Sequence, residues 1–206
     1  MTIAKDKLHD LLCQALETEQ GGIKVYEAAI GCAVHDELRE EWQEYLEQTT
    51  QHERLLRETI RKVGFDADAQ TPGRMPVRLI GEALVAAIGQ AAAGAPPDAA
   101  EVVAAECVVH AETKDHMNWE LIGQVARALD GDAGAALMAA YEAIEDQEDE
   151  HLYHTRGWAR ELALKGLGLP AVIPPPEETM KVTTMIGAAR AEAGRESMLD
   201  PRINAR

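Results

Sequence analysis

The sequence predicts an all-α fold: a four-helix bundle, a short extra helix in the crossover between its second and third helices, and a C-terminal arm. Three observations carry this. Only 4% of the 206 residues are aromatic and Phe occurs once, while Ala, Leu and Glu recur, a balance that suits helices better than sheets. Apolar residues return at alternating spacings of three and four over long stretches, as on the inner stripe of a bundle helix. The breaks between stretches fall at clusters of Gly and Pro. A chain of this length that is 46% apolar can bury a substantial core as one domain.

The first 63 residues carry helical periodicity with one interruption around Cys32 to Asp36, and the run stops at Gly64-Phe65-Asp66, which describes a hairpin of two helices. Residues 66–76 are turn-rich, and 77–93 read as a short amphipathic helix. After the break at 94–98, Pro97 is placed to start a third long helix running to about Leu129. Residues 130–134 read as a turn, and a fourth long helix is expected from about Ala135 to Lys165. Three consecutive prolines within 166–176 exclude further helix there, so residues 1–166 form the bundle and 167–206 a tail, with helical character over 177–195. That tail is either a loosely attached terminus or an arm against a neighbouring subunit of a homo-oligomer.

Twenty Lys and Arg stand against 36 Asp and Glu, a formal charge of −16. A phosphate backbone is repelled by such a surface, which argues against nucleic acid as a partner and for small cations. Cys13, Cys32 and Cys107 are isolated, so no disulfide framework or Cys-x-x-Cys metal knuckle is written here; they read as small buried residues in a reducing compartment. Met1 to Leu12 lacks the apolar run of a signal peptide, and no apolar stretch is read as approaching membrane-spanning length. The expectation is a cytoplasmic protein with no membrane partner.

Laid on bundle seams, the first helix presents Leu12, Leu16, Glu19, Ile23, Tyr26 and Ile30, and the second Leu38, Trp42, Tyr45, Thr49, His52 and Leu56. The third presents Ala105, Val108, Glu112, Asp115, Trp119, Ile122, Ala126 and Leu129, and the fourth Leu137, Tyr141, Ile144, Glu148, His151, Thr155, Trp158 and Leu162. Glu19, His52, Glu112, Asp115, Glu148 and His151 therefore interrupt the middle of every stripe and are expected to meet at one level. Buried carboxylates persist when paired or bound to a cation, and four of them exceed what two imidazoles can offset, so a pair of metal ions is the expected partner. Glu148 and His151, three residues apart, stand one above the other and present an oxygen and a nitrogen to one place. Carboxylates are hard ligands that suit iron, with manganese as the alternative. Glu17, Glu53, Glu106, Glu145 and His154 read as solvated faces or outer partners of the site. Gly21-Gly22, directly after Glu19, reads either as close packing against a neighbouring helix or as a local widening that admits a small reactant.

This pattern resembles the ferritin-like superfamily of rubrerythrin and bacterioferritin over about residues 8–163: Glu19, then His52, then Glu112, then Glu148 with His151, in chain order. An internal echo accompanies it, since Tyr26-Glu27 follows Glu19 by seven residues as Trp119-Glu120 follows Glu112. Within the superfamily it is most similar to the YciE/YciF-type stress proteins, through Glu19-Gln20 before Ile23-Lys24, the run 47–52 ending in His52, and Glu112-x-x-Asp115. The resemblance implies a di-iron centre that reacts with oxygen or hydrogen peroxide, in iron handling or oxidative-stress defence. It also implies Glu19 and His52 on one side, Glu112 and His151 on the other, and Glu148 as the bridge. Rubrerythrins and bacterioferritins carry a bridging Glu three residues before the second-helix histidine, where this chain has Thr49. Asp115 or Glu53 is expected to stand in for it, or the site is asymmetric or holds one metal. The competing expectation is a metal-free helical stress or scaffold protein whose seam charges are internally paired.

Overall fold

The computed structural model describes residues 3–176, and among them five helices form: α1 (Lys5–Ile30), α2 (Asp36–Lys62), α3 (Arg74–Gly94), α4 (Pro97–Ala128) and α5 (Gly131–Gly166). The helix ends follow local chemistry. α2 opens with Asp36 and Glu37 and closes with Arg61 and Lys62, each charge set against the opposing end of the helix dipole. Its last carbonyls are capped by Gly64 N–H to Arg61 O and Phe65 N–H to Ile60 O, both 3.0 Å, a closure that needs the φ of +90° at Gly64. α4 starts at Pro97, as expected, where the missing amide hydrogen costs no helical bond.

α5 starts at Gly131, earlier than the glycine-rich run suggests, and only Leu129 and Asp130 separate it from α4. The reason is space. A Cβ at Gly134 would lie 1.8 Å from the carbonyl oxygen of Leu129, so the glycine lets the first turn of α5 lie on the end of α4 and is not a helix breaker here. Gly134→Ala is expected to destabilise the chain by about 1–3 kcal/mol through overpacking, read as a lower melting temperature by circular dichroism.

α1 packs on α2 and α4, and α5 packs on α4 and α2, so these four helices close a circuit while α3 lies outside against α1 and α4. The two short links make each pair, α1 with α2 and α4 with α5, an antiparallel hairpin. α3 is fastened by Glu17, which accepts from Arg74 Nε and Arg78 Nε, both at 2.7 Å. Glu17, one of the residues read as solvated or outer-shell, is thus buried under α3. Burial disfavours its charge, but the two guanidinium hydrogen bonds prevail and hold its carboxyl below the usual range. Gly21 also meets Gly81: a Cβ on Gly81 would sit 3.5 Å from Gly21 Cα, so of the two roles read for the glycine pair Gly21 takes close packing against a neighbouring helix.

α3 corrects one expectation. Its 21 residues are long and apolar enough to cross a membrane by length and composition, and most of its surface is exposed on the bundle. The apolar stretch is longer than the 77–93 reading because the helix starts at Arg74, whose buried side chain also donates to Ala67 O at 2.7 Å.

The core is split in two. One cluster gathers Val25, Tyr26, Leu38, Trp42, Tyr45, Val108 and Trp158; the other gathers Leu12, Leu16, Leu56, Ile60, Trp119, Ile122 and Leu137. Every seam residue expected on α2 and on α5 is buried. On α1, Ile23 and Ile30 are only half-buried, and so is Leu129 beyond α4, while Gly22, Val25 and Ala29 turn inward instead. A straight helix drifts from a strict seven-residue repeat, and the drift shows at helix ends. All three cysteines are buried and free, as their spacing suggested. At the C-terminal side, Val172 N–H donates to Glu161 Oε2 at 2.8 Å and Pro175 and Pro176 are buried. The helical stretch expected at 177–195 lies outside the described residues.

Candidate metal centre

Between the two apolar clusters lie Glu19 on α1, His52 on α2, Glu112 and Asp115 on α4, and Glu148 and His151 on α5, none more than 4% exposed. Two sets of three converge so that one ligand atom from each member lies within 4.8 Å of the others: Glu19, His52 and Glu148; and Glu112, Glu148 and His151. Glu148 belongs to both. The histidines lie side by side, ring centroids 5.8 Å apart.

The orientation of each imidazole is set from outside. His52 Nε2 meets Gln147 Oε1 at 2.6 Å, and His151 Nε2 meets Gln48 Oε1 at 2.6 Å. A glutamine carbonyl oxygen only accepts, so Nε2 of each ring donates to it and Nδ1 is turned inward. There His52 Nδ1 lies 2.7 Å from Glu148 Oε1 and 3.9 Å from Glu19 Oε2, while His151 Nδ1 lies 3.6 Å from Glu112 Oε2. At the 2.7 Å between His52 Nδ1 and Glu148 Oε1, two lone pairs face each other only with a proton or a metal ion between them. Each glutamine sits four residues before the histidine of its own helix and holds that of the other, a crossing that neither heptad spacing nor the resemblance pointed to. Removing one such outer-shell partner, as in Gln147→Ala, is expected to weaken metal binding about 10–100-fold with the fold intact, measurable by competitive chelator titration.

The inner atoms lack other partners. Glu19 Oε2, Glu112 Oε2, Asp115 Oδ1, Glu148 Oε2 and His151 Nδ1 are all buried without a hydrogen bond. The outer oxygen of Glu19 accepts from Trp119 Nε1 at 2.9 Å, so the aromatic residue seven positions after Glu112 fixes the carboxylate of the other hairpin. Burial first, then the neighbouring carboxylates, push Glu19 and Asp115 well above the usual carboxylate range and Glu148 up to about 8. Burial likewise pushes His52 down. Metal binding needs the carboxylates deprotonated, and four of them then bring four negative charges into a buried space, the amount that two divalent cations neutralise. The residues therefore fit a pair of hard metal ions.

The chain matches no family model, no curated protein and no solved structure.

The two candidates to stand in for Thr49 separate cleanly. Glu53 points away, its Oε1 accepting from Gln20 Nε2 at 3.0 Å and from Arg57 Nε at 3.0 Å. Asp115 is buried beside Glu148 and Glu112 but belongs to neither three-residue set. His116, next to Asp115, turns away from the centre, its Nε2 lying 2.7 Å from Asp149 Oδ1. His154 is buried, its Nδ1 3.0 Å from the Tyr45 hydroxyl, and the Tyr45 ring lies 4.2 Å from that of His151. Glu41, which no spacing argument singled out, accepts from Trp158 Nε1 at 2.9 Å. Burial leaves Glu106 and Glu145 on exposed helix faces, as read.

Proposed function

We propose that this chain is a di-metal carboxylate protein of ferritin-like type, binding two iron ions, with manganese as the alternative, and serving iron handling or oxidative-stress defence. The observation that carries the reading is Glu148, the one carboxylate common to two buried ligand sets. In this reading Glu19 and His52 hold one ion, Glu112 and His151 the other, and Glu148 joins them. Asp115 balances charge beside them. A bound iron pair supplies electron transfer to oxygen or hydrogen peroxide. The chain's own part is to fix the histidine tautomers through Gln48 and Gln147, to aim Glu19 through Trp119, and to keep bulk water out between two apolar clusters.

Metal analysis of protein purified without chelator and reconstituted anaerobically with ferrous iron is expected to give two ions per chain, followed by an absorbance change on adding oxygen or peroxide. Less than about one ion per two chains overturns the reading and leaves the metal-free scaffold in its place.

A further inference from the structure

α3 is packed on one side only. It meets α1 and α4 with Val77 and Ile88 buried, yet Met75, Leu79 and Ile80 stand 49%, 57% and 62% exposed. Further along the same helix Ala83, Ala86, Ala87 and Ala93 are exposed, and Glu82 is its one acidic residue. The outer face is thus apolar along its length, bulky in the first half and flat in the second. Apolar surface of that extent on one helix marks a place of contact.

Where the described chain ends decides what lies in reach. Lys165 Nζ lies 3.2 Å from His35 Nε2, and His35 N–H donates to Glu101 Oε1 at 2.9 Å, so the end of α5 and the starts of α2 and α4 share one end of the bundle. α3 finishes at Gly94, just before Pro97 opens α4, and so finishes at that end too. Ile173 packs on the same apolar cluster as Ala91 and Ala95 at the close of α3, and Pro175 and Pro176 are buried. Residues 177–206 therefore leave from the end of the bundle where the flat half of the α3 face lies.

Their sequence matches that face. A helix over 177–195 puts Val182, Met185, Ile186, Ala189 and Ala193 on one stripe, at spacings i, i+3, i+4, i+7 and i+11. It is about 28 Å long, against about 31 Å for the 21 residues of α3. Laid antiparallel with residue 177 level with Gly94, it brings Met185 and Ile186 to the level of Ala86, and the small run from Gly187 to Gly194 to the level of Leu79 and Ile80. Large meets small in both halves, and Arg190 comes within about one residue's rise of Glu82.

Charge separates the candidate occupants. Residues 177–206 hold five Lys and Arg and five Asp and Glu, a net of zero, so the whole −16 lies on residues 1–176. A second copy on α3 brings two such bodies together, and an anionic lipid surface meets the same repulsion, whereas the tail adds no charge. Tethered at Pro176, it also meets the face at an effective concentration of about 1 mM. We propose that residues 177–195 fold back as a helix on the outer face of α3, which is the docking surface for the chain's own C-terminal segment.

The test uses the full chain with introduced cysteine pairs. Ala86→Cys with Met185→Cys sets two thiols at one level, while Ala93 lies on the same face of α3 about two turns away. On oxidation by glutathione disulfide the first pair is expected to close within the chain at least tenfold faster than Ala93→Cys with Met185→Cys, at a rate independent of protein concentration. Cys13, Cys32 and Cys107 are buried, and the wild type gives the background. In a second measurement, the full-chain variant Met185→Asp with Ile186→Asp is expected to speed amide hydrogen exchange in α3 about tenfold, with the other four helices exchanging as in the wild type. Equal closure of the two pairs, or α3 exchange unchanged by the aspartates, overturns the docking. A disulfide between chains that grows with concentration overturns it in favour of a second copy, and protection of α3 that appears only with phosphatidylcholine vesicles overturns it in favour of a lipid surface. No readout depends on metal, so failure here leaves the di-metal reading standing.

Discussion

Replacing Glu148 by Gln is expected to abolish binding of both metal ions and, at pH 9, to raise the melting temperature of the metal-free protein. The two effects have one cause. Glu148 is the sole member of both ligand sets, so neither ion keeps three protein ligands without it. In the metal-free protein the same carboxyl, pushed up to about 8 by burial and by Glu112, is largely ionised at pH 9 in a site that disfavours the charge. The amide has the same shape, carries no charge and offers an N–H toward His52. Metal at a hundred times its dissociation constant stabilises the wild-type chain by about 2.7 kcal/mol, or about 5–10 °C for a domain of this size. In Glu148→Gln that shift is expected to fall below about 1 °C. Calorimetry with and without metal, joined to metal analysis, checks both signs. A variant that keeps two ions per chain, or that melts lower than the wild type without metal at pH 9, contradicts the assignment.

The second large effect is a reversed pH dependence of stability. Most carboxylates in folded proteins are held low and stabilise as pH rises. Here Glu19, Asp115 and Glu148 are held high, so between their unfolded values near 4 and their folded values the native state binds more protons than the unfolded chain. Their contribution is fully present below the unfolded value and is lost as pH climbs toward about 8 for Glu148. His52 works in the opposite sense below its ordinary value of 6.5, because its folded form resists protonation. The clearest decline is therefore expected between pH 6.5 and 9, as a falling melting temperature in chelator. Metal reverses it: cations need the deprotonated carboxylates, so their affinity rises with pH and the loaded protein stays stable across the same window. A metal-free melting temperature that is flat or rising over that interval counts against a dry, carboxylate-crowded interior.

Much of this was legible beforehand because an α-helix repeats its faces. Spacing alone put Glu19, His52, Glu112, Asp115, Glu148 and His151 on inward stripes, and burial of all six follows from the apolar residues that flank each in its own helix. It located α1, α2 and α4 to within a few residues, since Gly and Pro punctuate their ends. It misjudged the start of α5, because a glycine that breaks a helix and one that lets two helices touch are the same letter; only the carbonyl of Leu129 tells them apart at Gly134. It also left Glu17 ambiguous, because the arginines that bury it arrive from α3, far along the chain.

What the sequence by itself determined is thus which side chains face inward and that they carry more negative charge than a protein interior tolerates alone. What only the tertiary structure decided is who meets whom. Glu148 is shared, Gln48 and Gln147 cross to the opposite histidine, Glu53 is held away by Arg57, and the Thr49 hydroxyl is left without a partner. Periodicity specifies the direction of a side chain around its own axis. The axial shift and rotation of one helix against another, which set distances of 2.6 or 3.9 Å between helices, come from the packing of the whole bundle.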